Sequence, residues 1–274
     1  VPVFFCLLIV VCSFFSTSPC FDILNKTLAS VENIKTIKFH LKFSERIKGK
    51  LRNSESQIKL SRNPTRAYMF LNGPELLWLE GRNNGNALVN PKGFPYMNLN
   101  LDPMGTLMRE NQHHTVKEVG YDYFAELIRN AIKISGDNFD SYFKCQGEIE
   151  LDNHACYLIT AEYPDYKYET YTVKKGETLI TIARDKHLSE YMLLELNEKK
   201  VSHYDDIKNG QMIVIPNVYG NKIILYIDKE LLVPRIIRVY DDKGLFESYE
   251  YHDLEINPKI VEEEFTKEYK GYGF

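Results

Sequence analysis

The chain of 274 residues is 44% hydrophobic and 26% charged. That balance gives room for one large core and a small satellite unit, and it excludes an intrinsically disordered chain. The formal net charge is −4, with Lys and Arg dispersed rather than gathered into a patch, so a nucleic acid is not expected as partner.

The first twenty residues, VPVFFCLLIVVCSFFSTSPC, carry no charge and hold an apolar run from Val3 to Val11, extended by Phe14 and Phe15. This length fits the apolar core of a secretory signal and falls short of the roughly 20 residues that span a bilayer. Residues 1–20 are read as a signal peptide cleaved before Phe21, although the usual positive N-terminal region is missing. Export to the periplasm or cell envelope follows, with association with the outer membrane as one option. A lipidated Cys20 is the alternative, disfavoured by Pro19, where such sites take a small flexible residue.

Past the signal, Leu24, Leu28 and Val31 fall at helical spacing, which predicts an opening amphipathic helix. The next stretch alternates Ile37, Phe39, Leu41 and Phe43 with Lys38, His40, Lys42 and Ser44, the period of a sheet with one buried and one wet face. Further strands are predicted in SQIKLSRN, TRAYMFLN and ELLWLEG, separated by Asn63-Pro64 and Asn72-Gly73-Pro74, as in an antiparallel meander. In ENQHH, Glu110, His113 and His114 lack the spacing of a metal site and read as a surface loop. A second helix is predicted where Phe124, Leu127, Ile128 and Ala131 share a face.

Cys145 and Cys156 flank a predicted hairpin turn at Asp152-Asn153. They are not opposite each other, and a bridge needs Cα atoms within about 7 Å, so two buried small hydrophobes are favoured over a disulfide. From residue 221 the strands resume, with turns at Asp228-Lys229-Glu230 and Asp241-Asp242-Lys243-Gly244, and with Ile237, Val239, Tyr249 and Tyr251 at strand spacing.

Between these strand regions lies YTVKKGETLITIARDKHLSEYMLLELNEKKVSHYDDIKNGQMIVIP. A short strand turns at Gly176, Thr178 caps a helix holding Leu179, Ile182 and Ala183, and a second helix carries Met192, Leu193 and Leu196 before a closing strand. This βααβ unit resembles a LysM domain in its YTVKKGETL opening, the IA of helix one, LLELN at the end of helix two and the closing IKNGQMIVIP. Glu177 stands where the family most often has Asp, and EKKVSHYDD is longer than usual. The resemblance implies binding of peptidoglycan or another N-acetylglucosamine-containing glycan in a shallow groove. Gly176, Glu177, Thr178, Leu179 and Ile180 would form one side, and Asp205, Asp206, Ile207, Lys208, Asn209 and Gly210 the other. Seven basic and seven acidic residues between Tyr171 and Tyr219 make the unit neutral, so retention should depend little on salt.

The host resembles the periplasmic lipoprotein carriers of the LolA/LolB type. The resemblance rests on LYIDKELLVPRIIRVYDDKGLFESYEYHDLEINPKI, and the early stretch IKGKLRNSESQIKLSRNPTRAYMFLNGPELLWLEG and the tail EEEFTKEYKGYGF are similar to an uncharacterised bacterial envelope family of that fold. It implies an α+β protein, a curved antiparallel half-barrel covered by helices, with the βααβ LysM domain inserted. The expected division is a carrier-like domain from 21–170 and 220–274, with LysM at 171–219. Phe39, Phe43, Tyr68, Phe70 and Trp78 are candidate linings of a hollow for lipid or lipoprotein acyl chains, or plain core residues. No glycine-flanked nucleophilic serine or phosphate-cradling loop is present in the sequence. The expectation is a non-enzymatic protein without cofactor or metal. The alternatives are an insertion that docks protein without binding glycan, and a peptidoglycan-active enzyme.

Overall fold

The computed structural model describes residues 18–274, so the apolar run of the expected signal lies outside the described residues. Helix α1 (Pro19–Glu32) opens the fold with proline in its first turn, where a missing N–H costs nothing. Its inner stripe buries Cys20, Leu24, Leu28 and Val31. Six strands follow: β1 (Thr36–Ile47), β2 (Lys50–Ser61), β3 (Arg66–Phe70), β4 (Glu75–Leu79), β5 (Ala87–Asn90) and β6 (Leu99–Leu101). Helices α2 (Thr106–Arg109), α3 (Asp122–Ser135) and α4 (Phe139–Tyr142) lead to β7 (Phe143–Leu151) and β8 (His154–Glu162). The inserted unit comprises β9 (Tyr168–Thr172), α5 (Leu179–Lys186), α6 (Glu190–Leu196) and β10 (Met212–Pro216). Strands β11 (Lys222–Asp228), β12 (Pro234–Asp241) and β13 (Gly244–Ile256) complete the chain's regular structure.

Eleven strands form one antiparallel sheet in the order β6-β5-β4-β3-β2-β1-β13-β12-β11-β8-β7. The sheet is not closed into a barrel, since β6 and β7 stand at its two edges. Register breaks in the β1–β13, β11–β12, β12–β13 and β7–β8 pairs put extra residues in β13, β12 and β7, which bend a sheet locally. Its inner face, with Ile37, Phe39, Ile58, Leu60, Leu225 and Val239, packs with α1 and α3 into the main core.

The outer face of β3 and β4 is covered as well. Tyr68 and Leu77 pack with Phe265, and Phe70, Tyr272 and Phe274 add to this second cluster. The Tyr68 and Tyr272 rings stack at 3.7 Å, and the Gly273 N–H donates to Glu75 Oε2 at 2.6 Å. Double-sided burial explains why these strands read as continuous apolar runs rather than alternating ones.

Cys145 is bonded to Cys20, with Cα atoms 5.5 Å apart, and Cys156 is free and buried. This corrects the expectation that Cys145 is a lone buried hydrophobe. Cys145 faces Ile159 across the hairpin and Cys156 faces Ile149, so the two are not opposite each other. A cut after Cys20 would remove one half of the bridge from α1's first turn. A thioether on Cys20 would occupy the sulfur that the bridge uses.

Strands β8 and β11 pair directly, from Glu162 with Lys222 to Cys156 with Asp228, so the βααβ unit leaves and rejoins the sheet at neighbouring strand ends. The Tyr163 N–H donates to the Asn221 carbonyl at 2.8 Å, and the Asn217 N–H to that of Lys167 at 3.0 Å, closing the stem. The unit has its own core of Val173, Leu179, Ile182, Leu193, Ile213 and Ile215 around the β9–β10 pair. Thr178 caps α5 in a reciprocal box with Thr181, and Ser189 caps α6 by accepting from the Met192 N–H. Asn197 pins α6 to β10, donating to the Leu193 and Val214 carbonyls and accepting the Val214 N–H.

The unit is also docked on the sheet, and α6 makes the contact. Tyr191 and Met192 belong to the main core rather than to the unit's own. The Tyr191 ring stacks on His113 at 4.6 Å and its hydroxyl accepts the Lys48 N–H at 2.8 Å. Glu190 pairs with the buried Arg109, whose guanidinium lies 3.9 Å from the centre of the Tyr204 ring.

Candidate functional site

Two regions have the shape and chemistry of binding sites. The first lies on the inserted unit, where the turn before α5 meets the loop after α6. The Leu179 N–H, free of any partner within its own helix, donates to the Tyr204 carbonyl at 2.8 Å. That bond brings the two segments together. The Gly210 N–H in turn donates to the Val173 carbonyl at 2.8 Å.

Gly176, Asp205, Lys208, Asn209 and Gly210 are exposed, while Glu177, Thr178, Ile180, Asp206 and Ile207 are half-buried. Leu179 is fully buried, so only its backbone faces this region. Gly176 has φ +83°, a backbone that a side chain would strain. Glu177 accepts the Lys174 N–H at 2.7 Å and the Tyr171 hydroxyl at 2.8 Å, and these bonds hold its carboxyl below the usual range. Asp206 is likewise held low by the Ser202 N–H and hydroxyl, at 3.0 and 2.8 Å. The acidic side chains beside the groove are thus tied to its own turns.

The second region is a cavity of about 290 Å³ between the inner face of the sheet, α3 and the segment from 107 to 120. Leu41, Phe43, Leu225 and Val239 line it from the sheet, and Phe124 and Leu127 from α3. Of the five aromatic residues expected there, Phe43 reaches the lining. Phe39 and Trp78 are buried in the main core without joining that wall. Tyr68 and Phe70 are corrected outright. Side chains alternate along β3, and both rings lie in the cluster under the C-terminal segment.

One end of the cavity is polar. Glu45, His114, Glu118, Tyr219, Glu247 and Tyr249 all line it. Tyr219 donates to Glu247 at 2.9 Å, and Tyr249 donates to Glu45 at 2.7 Å. His114 lies 3.3 Å from Glu247 and 3.4 Å from Glu118. Behind this wall His113 is 3% exposed, which corrects its reading as part of a surface loop. Its ring is sandwiched between Tyr191 and Phe246, with Nδ1 at 2.8 Å from Glu247 and Nε2 at 3.0 Å from the Arg46 carbonyl.

Burial alone would raise the Glu247 carboxyl, but the imidazoles of His114 and His113 hold it well below the usual carboxylate range. Burial opposes charge on His114 too, yet Glu247 and Glu118 lift it well above the ordinary histidine value. Glu118 is depressed against its burial by His114, the Thr115 N–H and Arg184.

The sequence held a signal for this cluster. Glu45 continues the Ile37, Phe39, Leu41, Phe43 series at period two, and Glu247 precedes Tyr249 and Tyr251 by the same step. Both carboxylates therefore sit on the buried face.

Residues 171–216 match the LysM domain model, and residues 34–187 match a model described as protein of unknown function (DUF1571). The second match covers more than half of the chain and runs into α5, overlapping the first. No match was found among proteins of curated function. Among solved structures, the chain is similar to MucB of Pseudomonas aeruginosa in its complex with MucA, at 12% identity and a TM-score of 0.43, covering 91% of this chain and 61% of that one. It is similar to the lipoprotein LppX of Mycobacterium tuberculosis at 10% identity and a TM-score of 0.41, over 90% of this chain and 100% of that one. A putative outer membrane lipoprotein-sorting protein domain from Vibrio parahaemolyticus is similar at 9% identity and a TM-score of 0.34, over 90% and 95%. With an open antiparallel sheet, a βααβ unit between β8 and β11, and both family matches in place, the chain belongs to the DUF1571 family and carries a LysM domain.

Proposed function

We propose that this chain is a non-enzymatic protein of the bacterial cell envelope that grips an N-acetylglucosamine-containing glycan, peptidoglycan above all, through residues 171–219. In this reading the host, from α1 to residue 170 and from 220 to 274, holds an apolar guest in its cavity. The observation that carries the glycan reading is the LysM match over 171–216 together with the Leu179–Tyr204 bond that sets the two loops side by side. Exposed backbone at Gly176, Asn209 and Gly210 suits the amide of an N-acetyl group, and half-buried Ile180 and Ile207 suit its methyl. The apolar walls of the cavity and the sequence resemblance to lipoprotein carriers support the second half. Export accords with the apolar leader and with a disulfide between Cys20 and Cys145. No helix among the described residues is long and apolar enough to cross a membrane.

His113, whose two ring nitrogens are both engaged and whose faces are both covered, holds the wall in place.

Sedimentation with purified sacculi tests the glycan half. The full chain should pellet with sacculi, and Asn209→Trp, on an exposed loop that bears no cap, should remain in the supernatant with an unchanged melting temperature. Thr178 is a poorer choice, because it caps α5 and its loss costs about 1 kcal/mol. A second reading, a docking module without a sugar site, is favoured by the burial of Tyr191 and Met192 in the host core. Failure of the folded full chain to pellet would select it.

A further inference from the structure

The cavity's polar end has a one-sided chemistry. Its lining includes four carboxylates, Glu45, Glu110, Glu118 and Glu247, one imidazole, His114, and no Lys or Arg. Two guanidinium groups outside the lining are already paired. Arg46 pairs with Asp241, and Arg184 reaches Glu118 from the inserted unit at 3.2 Å.

Three donors at this end are already engaged. Tyr249 gives its proton to Glu45, Tyr219 gives its own to Glu247, and His114 lies between Glu247 and Glu118. An ionised carboxylate only accepts, and each of its oxygens can take more than one donor. The wall is therefore rich in acceptors, and Glu45, which takes the Tyr249 hydroxyl and the His113 N–H, keeps lone pairs for a further donor. A carboxylate or phosphate placed beside it would face like charge in a low-dielectric setting, where such repulsion is strong. A hydroxyl or ammonium group would complete the cluster.

We propose that the cavity takes an amphiphile with a single apolar chain and a hydrogen-bond-donating head, an alcohol or, better, a primary amine, and that it discriminates against anionic heads. The chain lies along Leu41, Leu225, Val239, Phe124 and Leu127, with the head at Glu45 and Glu247. This inference rests on the reading of the cavity as a binding site and adds the class of guest.

The test uses the full chain and three probes of equal length, octylamine, octanol and octanoate, with binding followed by calorimetry near neutral pH. Octylamine and octanol should each bind at least about tenfold more tightly than octanoate, a difference of about 1.4 kcal/mol. Leu127→Trp, which fills the apolar wall, should weaken all three. Glu45→Gln should narrow the gap between amine and carboxylate. Octanoate binding as tightly as octylamine would overturn the head-group inference and leave the cavity reading standing. If no probe binds to folded protein, the cavity reading fails and this inference with it. Should either variant not fold, the imidazole resonances of the wild-type protein decide the location. They shift on adding octylamine if the head lies at this cluster, and an absence of shift despite binding refutes the placement.

Discussion

Arg184, on the first helix of the LysM unit, donates to Glu118 in the wall of the host cavity at 3.2 Å and to Glu190 at 2.7 Å. Glu118 continues to His114, and His114 to Glu247, so a line of charged groups runs from the inserted unit to the floor of the cavity. The inserted unit is thus bonded into the same polar cluster that closes the hollow.

The buried member of this junction is Arg109, paired with Glu190 where both are 4% exposed. Removing Arg109 leaves the buried Glu190 carboxylate with the exposed Arg184 as its remaining cation, at 2.7 Å. Arg109→Met should therefore cost about 3 kcal/mol in urea unfolding. The double variant Arg109→Met with Glu190→Met should recover most of that loss, because two methionines have no charge to desolvate. A double variant as unstable as the single one would mean that the pair is not what holds the junction.

Deleting 171–219 and joining the stem with a short flexible linker tests how independent the host is. The ends are already adjacent through the Tyr163–Asn221 bond, so the sheet should still fold. It should be less stable by about 2–5 kcal/mol, the cost of removing a large buried side chain, because Tyr191 and Met192 leave the main core. Circular dichroism with urea unfolding reads both outcomes, and a remainder of unchanged stability would show that the docking contacts contribute nothing.

The sequence made some of this legible and hid the rest for identifiable reasons. The alternation from Ile37 to Phe43 marked β1's buried face, and the LysM pattern placed α5 and α6 within the βααβ unit. Tyr68 and Phe70 could not be assigned to a face from TRAYMFLN, because the segment that buries their side lies nearly two hundred positions later, at Phe265 and Tyr272. His113 reads as part of a polar loop until α6 packs Tyr191 over it, a contact between distant segments. Glu45 and Glu247 follow the strand period, yet a glutamate on an apolar face announces itself only when the partners that satisfy it are known. A leader that ends at Cys20 takes Cys145's partner with it, so the sequence pattern hides the bridge.

The cluster at Glu247 makes stability depend on pH from both sides. His114 is raised above its ordinary value near 6.5 despite burial, by Glu247 and Glu118. Its contribution is complete below about pH 6.5 and is lost as pH rises through the folded-state value. Glu247 is depressed despite burial, by His114 and His113, so its contribution is present above about pH 4.3 and is lost as pH falls through the depressed value. The melting temperature should therefore decline on the alkaline side of neutrality, and His114→Gln should lower the plateau and flatten that decline. Scanning calorimetry upward from neutral pH follows the decline as His114 loses its proton.

The bridge between Cys20 and Cys145 spans a sequence separation of 125 residues. Closing so long a loop in the unfolded chain stabilises the folded state by about 5 kcal/mol in the chain-entropy account. Cys145→Ser should lower stability by up to about that amount. Among the described residues no thiol should react with an alkylating reagent in the native protein, since Cys156 is buried, and one should react after unfolding without reductant. Mass spectrometry of exported protein should find Cys20 retained, and a mature chain starting at Phe21 would rule the bridge out.

Retention on sacculi should be nearly independent of salt. The LysM unit's seven basic and seven acidic residues cancel, and Glu177 and Asp206, the acidic residues nearest the groove, already accept from their own turns. An N-acetylated sugar is held by backbone hydrogen bonds and apolar contact, which survive in about 1 M salt, where charges are screened beyond about 3 Å. Peptidoglycan also carries ionised peptide stems, and attraction to those would vanish under the same conditions. Sedimentation across a salt series therefore separates the two modes of retention. A pellet that persists at high salt and disappears in Asn209→Trp assigns the grip to the sugar backbone at the 176–180 and 205–210 loops. A pellet lost with salt in the wild type would assign it to charge elsewhere on the surface.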